Sequence, residues 1–218
     1  MNQPAILETH AIFGGTFDPI HLGHLNVAQA IQNHFHFDSF EWMPCKTPVH
    51  KSHAQASDAQ RIAMIQLALQ DVPIEKATIN LMEMQRSTPS YMVDTLMEYR
   101  EKHPTPLSLV LVIGEDAFQT LRTWHRSEDL FKFCHVLVVH RPDTLLSKDP
   151  WIQSLIQTRM TRDSLRLKQQ EHGLLCFFNA GSYAISSQQL RDTQGNLFNH
   201  PWLSPSVRAF IETHQLYR

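Results

Sequence analysis

The run Gly14-Gly15-Thr16-Phe17-Asp18-Pro19-Ile20-His21-Leu22-Gly23-His24 concentrates residue types suited to phosphate chemistry. Two glycines let the backbone turn tightly and approach a ligand closely. The run follows a short apolar strand, Ala11-Ile12-Phe13, and leads into a helical pattern. A helix N-terminus offers unpaired N–H groups and the positive end of a dipole to an anion. His21 and His24, three residues apart, share one face of the first helical turn. Together these features predict a phosphate site. It is not a P-loop, because no Gly-Lys-Ser/Thr follows, and it lacks the third glycine of a dinucleotide fingerprint.

A second constellation lies near the C-terminus, Ile185-Ser186-Ser187-Gln188-Gln189-Leu190-Arg191. Ser187 and Arg191 share a helix face at i, i+4 spacing. Hydroxyls, free backbone N–H groups and a guanidinium fork can grip one phosphate together. Taken alone, two serines before a helix also read as an ordinary cap. The first run resembles the His-x-Gly-His signature of the nucleotidylyltransferase superfamily. The second resembles that superfamily's Ile-Ser-Ser-Thr-x-Ile/Leu-Arg motif, used on the β- and γ-phosphates, with Gln188 where threonine is usual.

The middle of the chain carries Pro89-Ser90-Tyr91-Met92-Val93-Asp94-Thr95-Leu96, then Ile113-Gly114-Glu115-Asp116, then Trp124-His125. Arg141-Pro142 and the terminal Leu216-Tyr217-Arg218 follow. By pattern alone, Tyr91 reads as a helix start, Asp116 as a helix cap and Trp124 as a core aromatic. The set as a whole resembles the bacterial nicotinate-nucleotide adenylyltransferase family, from about Ala11 to Arg218, with Met92 where that family has threonine.

The resemblance implies adenylyl transfer from ATP to nicotinate mononucleotide, giving nicotinate adenine dinucleotide and pyrophosphate. It implies catalytic roles for His21, His24 and Arg191, with both imidazoles charged beside the triphosphate. Gly14, Gly15, Thr16, Lys46, Ser186 and Ser187 would bind ATP phosphates. Tyr91, Met92, Asp116, Trp124 and His125 would bind the mononucleotide, through Met92 and His125 N–H groups and a stacked Trp124. Mg²⁺ would be held mainly by ATP oxygens and water, with no protein ligand. Asp18 would cap its turn.

These residues need a frame. Strand-like runs are Ile6–Phe13, Phe40–Cys45, Ala77–Met84, Leu107–Ile113, His135–His140 and Leu174–Asn179. Leu109–Ile113 and Val136–Val139 are apolar at every position, which predicts burial on both faces, as in a parallel sheet covered by helices. Helical segments fall between them: Leu22–Phe35, Ala59–Gln70, Tyr91–His103, Trp151–Gln170, Ser187–Thr193 and Ser206–His214. In Ala59–Gln70, Ile62, Ile65, Ala68 and Leu69 form a core-facing stripe. The βαβα order predicts an α/β fold, a doubly wound parallel sheet with helices on both faces, in one domain over 1–218. Such folds bind ligands beyond the carboxyl ends of the strands, where Gly14-Gly15 falls. The loop Pro44–Ser57, with Lys46, Pro48, His50, Lys51 and His53, reads as a binding loop or lid, or as a solvated connection.

Composition narrows the remaining classes. Of 218 residues, 42% are apolar, enough for a core, and the net charge of −2 gives no bulk attraction to nucleic acid or membrane. Three cysteines without paired spacing fit a reducing, cytoplasmic setting. No secretory leader or membrane-spanning run is expected. The partners that the resemblance implies are the two small-molecule substrates, with no nucleic acid or membrane. Two alternatives share the first motif: another adenylyl- or cytidylyltransferase of the superfamily, such as a pantetheine-phosphate enzyme, and a non-catalytic nucleotide sensor. A class I aminoacyl-tRNA synthetase fragment would need a Lys-Met-Ser-Lys-Ser-like loop, which the chain lacks.

Overall fold

The computed structural model describes residues 5–46, 54–87, 89–139, 147–181, 183, 185–193, 197 and 200–218. Pro48, His50, Lys51, His53 and Arg141-Pro142 lie outside the described residues. The described strands are β1 (Glu8–Gly15), β2 (Ser39–Pro44), β3 (Ala77–Ile79), β4 (Leu107–Gly114), β5 (His135–Val139), β6 (Met160–Thr161) and β7 (Leu175–Phe178). They form one sheet in the order β3-β2-β1-β4-β5-β7-β6, and every pair is parallel. The order reverses between β1 and β4, whose register pairs Phe13 with Val112. The carboxyl ends of these two strands, Gly14-Gly15 and Gly114, therefore flank the switch point where open α/β sheets bind ligands.

Alternation along each strand feeds two separate cores. Ala11, Phe13, Val110, Val112 and Leu137 face Leu25, Ala28 and Ile31 of α1 (Leu22–Phe35), Met64 and Ile65 of α2 (Asp58–Asp71), and Val207 and Ile211 of α7 (Pro205–Thr213). Ile12, Leu109, Leu111, Val136 and Val138 face the other way. They meet Val93, Leu96 and Tyr99 of α3 (Met92–Lys102), Phe118 of α4 (Glu115–Gln119) and Ile152 of α5 (Pro150–Arg159). The all-apolar strands are thus buried on both sides, as expected of a parallel sheet covered twice.

Three expectations about elements are corrected. The segment read as one helix over Trp151–Gln170 is α5, then β6, then a 3₁₀ turn at Ser164–Lys168. Thr161 Oγ1 accepts from Asp163 N–H and Asp163 Oδ1 accepts from Leu165 N–H, local bonds that compete with the helical ladder. Met160 and Thr161 pair instead with β7. The strand expected over Ala77–Met84 stops at Ile79. The Asn80 side chain accepts from Met82 N–H and donates to Glu41 Oε2 at 2.6 Å, closing an Asx turn. In α2 the buried stripe is Arg61, Met64, Ile65 and Ala68, while Ile62 and Leu69 are half-buried. The short α4 and the 3₁₀ turns at Leu121–Thr123 and Ser127–Lys132 had no periodicity long enough to announce them.

Candidate active site

β1 delivers Gly14 and Gly15 to the carboxyl edge of the sheet, where its strands end, and the chain then turns through a cis Asp18-Pro19 bond into α1. A Cβ at Gly15 would sit 2.8 Å from the Phe17 ring, so the ring packs where a side chain would otherwise be. Phe17 has φ +50°, is buried, and meets Phe13 and Trp42 edge-on or tilted at 5.9 and 5.3 Å. Aromatic packing therefore holds a left-handed residue inside the turn.

His21 is the N-cap of α1, and its carbonyl accepts from His24 N–H at 2.9 Å. Its own N–H donates to His24 Nδ1 at 3.3 Å, and the two rings stack with centroids 3.7 Å apart. A Cβ at Gly23 would meet His21 Nδ1 at 2.9 Å and Ile185 Cγ2 at 2.9 Å. Glycine at 23 thus lets the His21 ring and the second motif close on the helix start. His21 is buried, and its Nδ1 has no partner among the described residues. Burial pushes its pKa down to about 3, helped by nearby His200, so the imidazole is neutral near pH 7. This burial disfavours the imidazolium that the resemblance implies.

Ser186 caps α6 (Ser187–Arg191), its Oγ accepting from Gln189 N–H at 3.2 Å. Ser187 Oγ donates to the Pro19 carbonyl at 2.9 Å, and Arg191 Nη1 donates to the Asp18 carbonyl. Two motifs more than 160 residues apart in the chain meet at two consecutive peptide groups. Asp18 is 2% exposed, and its carboxylate accepts from Gln55 N–H, Ala56 N–H and the Tyr217 hydroxyl. It caps its turn as expected, and it also joins the entry to α2 and the C-terminus to that turn.

The remaining candidates surround the same edge. A Cβ at Gly14 would lie 3.4 Å from Met92 Cε, so the start of α3 abuts the glycine turn. Tyr91 and His125 rings are 4.4 Å apart, bringing the loop after β4 against α3. Trp124 is half-buried beside them, and Asp116 is exposed in the first turn of α4. Lys46 Nζ donates to the Arg86 carbonyl at 3.0 Å, and Thr16 Oγ1 lies 3.6 Å from Cys45 Sγ. Among the described residues, no cluster of three or more His, Cys, Asp or Glu side chains is placed to hold a metal ion, and no helix is long and apolar enough to cross a membrane.

Two groups escaped the sequence reading. Arg61 is fully buried and bonded to backbone at both strand ends. Its signal was a cation on the core stripe of α2, one turn after Asp58. Glu83 is 2% exposed and accepts from the Thr95 hydroxyl at 2.8 Å, while Arg86 donates to Thr95 Oγ1 and pairs with Glu98. Burial pushes the Glu83 carboxyl above its usual range, with Thr95 and Arg86 opposing. This network braces the first turn of α3, but its members are spread over residues 83–98 with no recognisable spacing.

Residues 12–193 match the cytidylyltransferase-like family model. The chain is 41% identical over 187 residues to a Legionella pneumophila (strain Corby) protein named "Probable nicotinate-nucleotide adenylyltransferase", covering 85% of this chain and 87% of the relative. It is 37% identical over 208 residues to a Pseudomonas paraeruginosa protein of the same name, covering 95% and 96%. In solved structures, it superposes on Plasmodium falciparum nicotinic acid mononucleotide adenylyltransferase complexed with NaAD, with a TM-score of 0.74, 19% identity, and 96% and 97% of the two chains covered.

Proposed function

The chain belongs to the nicotinate-nucleotide adenylyltransferase family, and on that premise we propose that it joins nicotinate mononucleotide to the adenylyl group of ATP, in a single domain. The observation that carries this reading is the meeting of three motifs at one sheet edge. Ser187 and Arg191 bond to the Asp18-Pro19 turn, His21 and His24 stack at the start of the adjoining helix, and Met92 abuts Gly14.

The chemistry needs no protein nucleophile. A phosphate oxygen of the mononucleotide attacks the α-phosphorus of ATP, the bond to the bridging oxygen breaks, and pyrophosphate leaves with the electron pair. A phosphomonoester has a second pKa of about 6, so the attacking oxygen is already largely ionised and no general base is required. What remains is to hold two polyanions in line and stabilise the charge that builds on the α-phosphate and the leaving group.

His24 and His21 stabilise the transferring phosphate from the start of α1, where their rings stack. Arg191, Ser186 and Ser187 hold the β- and γ-phosphates. Gly14, Gly15 and Thr16 present the turn to the phosphates, and Lys46 exchanges the Arg86 carbonyl for a substrate oxygen. Tyr91, Met92, Trp124 and His125 receive the pyridine end, with Asp116 toward the ribose. Mg²⁺ would arrive with ATP and would neutralise part of the triphosphate charge. Cys45, Cys134 and Cys176 form no disulfide among the described residues, and we place the protein in the cytoplasm, where thiols stay reduced.

The test is pyrophosphate release from ATP and Mg²⁺, with nicotinate mononucleotide, nicotinamide mononucleotide and phosphopantetheine compared side by side. Nicotinate mononucleotide should be the best acceptor. Release with phosphopantetheine alone would point to the pantetheine branch, and ATP binding without any transfer would point to a sensor.

A further inference from the structure

Arg61 is the largest charged side chain with no solvent exposure in the described protein. One guanidinium nitrogen, Nη1, donates to the Thr16 carbonyl at 2.8 Å and the Cys45 carbonyl at 2.7 Å. The other, Nη2, pairs with Asp58 Oδ1 at 2.7 Å and reaches the Lys46 carbonyl at 3.4 Å. Thr16 lies on the turn after β1, and Cys45 and Lys46 follow β2. The two segments are also joined directly, by Cys45 N–H donating to the Gly15 carbonyl at 3.0 Å. A single buried cation on α2 therefore ties the two backbone segments that carry the phosphate-binding candidates Gly15, Thr16 and Lys46.

The direction of these bonds has a consequence. In a trans peptide the carbonyl and the following N–H point in opposite directions. Arg61 draws the Thr16 and Cys45 carbonyls toward α2, which turns Phe17 N–H and Lys46 N–H away from it. At Phe17 that peptide orientation goes with a φ of +50°, a conformation a non-glycine residue keeps only when its surroundings impose it. We propose that Arg61 is a positioning residue for triphosphate binding. It orients the Phe17 and Lys46 amides toward the anion, fixes the backbone from which the Lys46 ammonium projects, and places a buried positive charge behind the turn. A carbonyl left free to rotate there would instead present a negative dipole to the phosphates. Asp58, whose side chain is partly exposed, pairs with Nη2 while Nη1 holds the Thr16 and Cys45 carbonyls. This inference rests on the proposed use of the glycine turn for ATP.

The experiment compares wild type, Arg61→Lys and Arg61→Met. Lysine keeps the charge but has no planar fork to hold two carbonyls at once. Each protein is titrated with MgATP and, separately, with nicotinate mononucleotide by calorimetry, and then assayed. Losing charged hydrogen bonds that shape the site should weaken MgATP binding and raise the KM for ATP at least ~tenfold in Arg61→Lys, more in Arg61→Met. Mononucleotide affinity should change less than ~threefold, because uniform loss of structure would weaken both ligands alike. Equal weakening of both, or a fall in Tm with unchanged MgATP affinity, would overturn the proposal. Should Arg61→Met fail to fold, Arg61→Lys and a wild-type measurement still decide. Adding Mg-pyrophosphate should shift the Phe17 and Lys46 amide resonances of ¹⁵N-labelled protein, and unmoved amides in a protein that binds pyrophosphate would also overturn it. Wild type that binds MgATP but transfers nothing to the mononucleotide would sink the functional reading and leave this one standing.

Discussion

The Tyr217 hydroxyl donates to Asp18 Oδ1 at 2.6 Å, so the second-last residue of the chain is bonded to the turn between β1 and α1. Burial and the Asp18 charge push the phenol far above its ordinary range, so it stays a donor at every working pH. The same Asp18 holds Arg191 through its carbonyl and, at 3.8 Å, through Oδ2. Tyr217 is therefore part of the frame that sets the proposed pyrophosphate-binding arginine.

Tyr217→Phe removes one hydrogen bond to a buried carboxylate while two backbone N–H donors remain on Asp18. Stability should fall by about 1.5–3 kcal/mol, as for hydrogen bonds to charged groups. The KM for ATP should rise with it, because Asp18 also positions Arg191. Chemical denaturation and ATP kinetics on one preparation check both. A stability loss with an unchanged KM would separate the tail from the site.

His24→Ala should cut kcat by at least ~10²–10³, by analogy with losing one donor to developing charge. The KM for ATP should move less, because the interaction strengthens in the transition state. Steady-state assays give both numbers, and near-normal kcat would remove the role.

Arg191→Lys keeps a charge but loses the fork. ATP use should worsen, and the KM for pyrophosphate in the reverse reaction should rise. A change confined to the mononucleotide KM would put the residue on the other substrate.

Acceptor choice follows from donor chemistry. A carboxylate cannot donate, so the proposed N–H donors at Met92 and His125 would suit nicotinate over nicotinamide. The preference in kcat/KM should be at least ~tenfold, since one mispaired buried polar group costs on the order of 1–3 kcal/mol. Met92→Thr keeps the N–H and should leave the ratio nearly unchanged, whereas Trp124→Ala should weaken both mononucleotides together. Equal use of nicotinamide mononucleotide would defeat the specificity claim.

Acid should destabilise the fold through two buried histidines. His135 Nε2 meets the Gln170 carbonyl at 2.8 Å and Nδ1 accepts from Leu174 N–H at 3.0 Å, which fixes a neutral tautomer. Burial pushes its pKa down to about 4, and that of His21 to about 3. Both folded values lie below the ordinary 6.5, so both rings are neutral folded or unfolded above that pH. Below it the unfolded chain takes up protons first, and stability falls by about 1.4 kcal/mol per pH unit per histidine down to the folded values. Thermal melts from pH 7 to 4 should show this slope, and His135→Gln should flatten it. A melt insensitive to pH in that range would contradict the buried-neutral assignment.

The parallel, twice-covered sheet and the local packing of the glycine motif were legible because their causes are local. Apolar runs such as Leu109–Ile113 require two covered faces whatever their neighbours are. Gly15 and Gly23 stand where a Cβ would strike Phe17 or His21, both within two residues in the chain, so the motif records its own packing. Spacing also placed Ser187 and Arg191 on one face, and both reach the Asp18-Pro19 turn. Other facts depended on long-range partners that no spacing encodes. Arg61 is a core cation only because two strand ends bring the Thr16 and Cys45 carbonyls to it, replacing the water a guanidinium would otherwise keep. Trp151–Gln170 broke into helix, strand and turn because β7 offered Met160 and Thr161 a pairing edge. His21 is neutral because tertiary burial strips its solvent, a cost set by what surrounds the ring and not by the residues beside it in the chain.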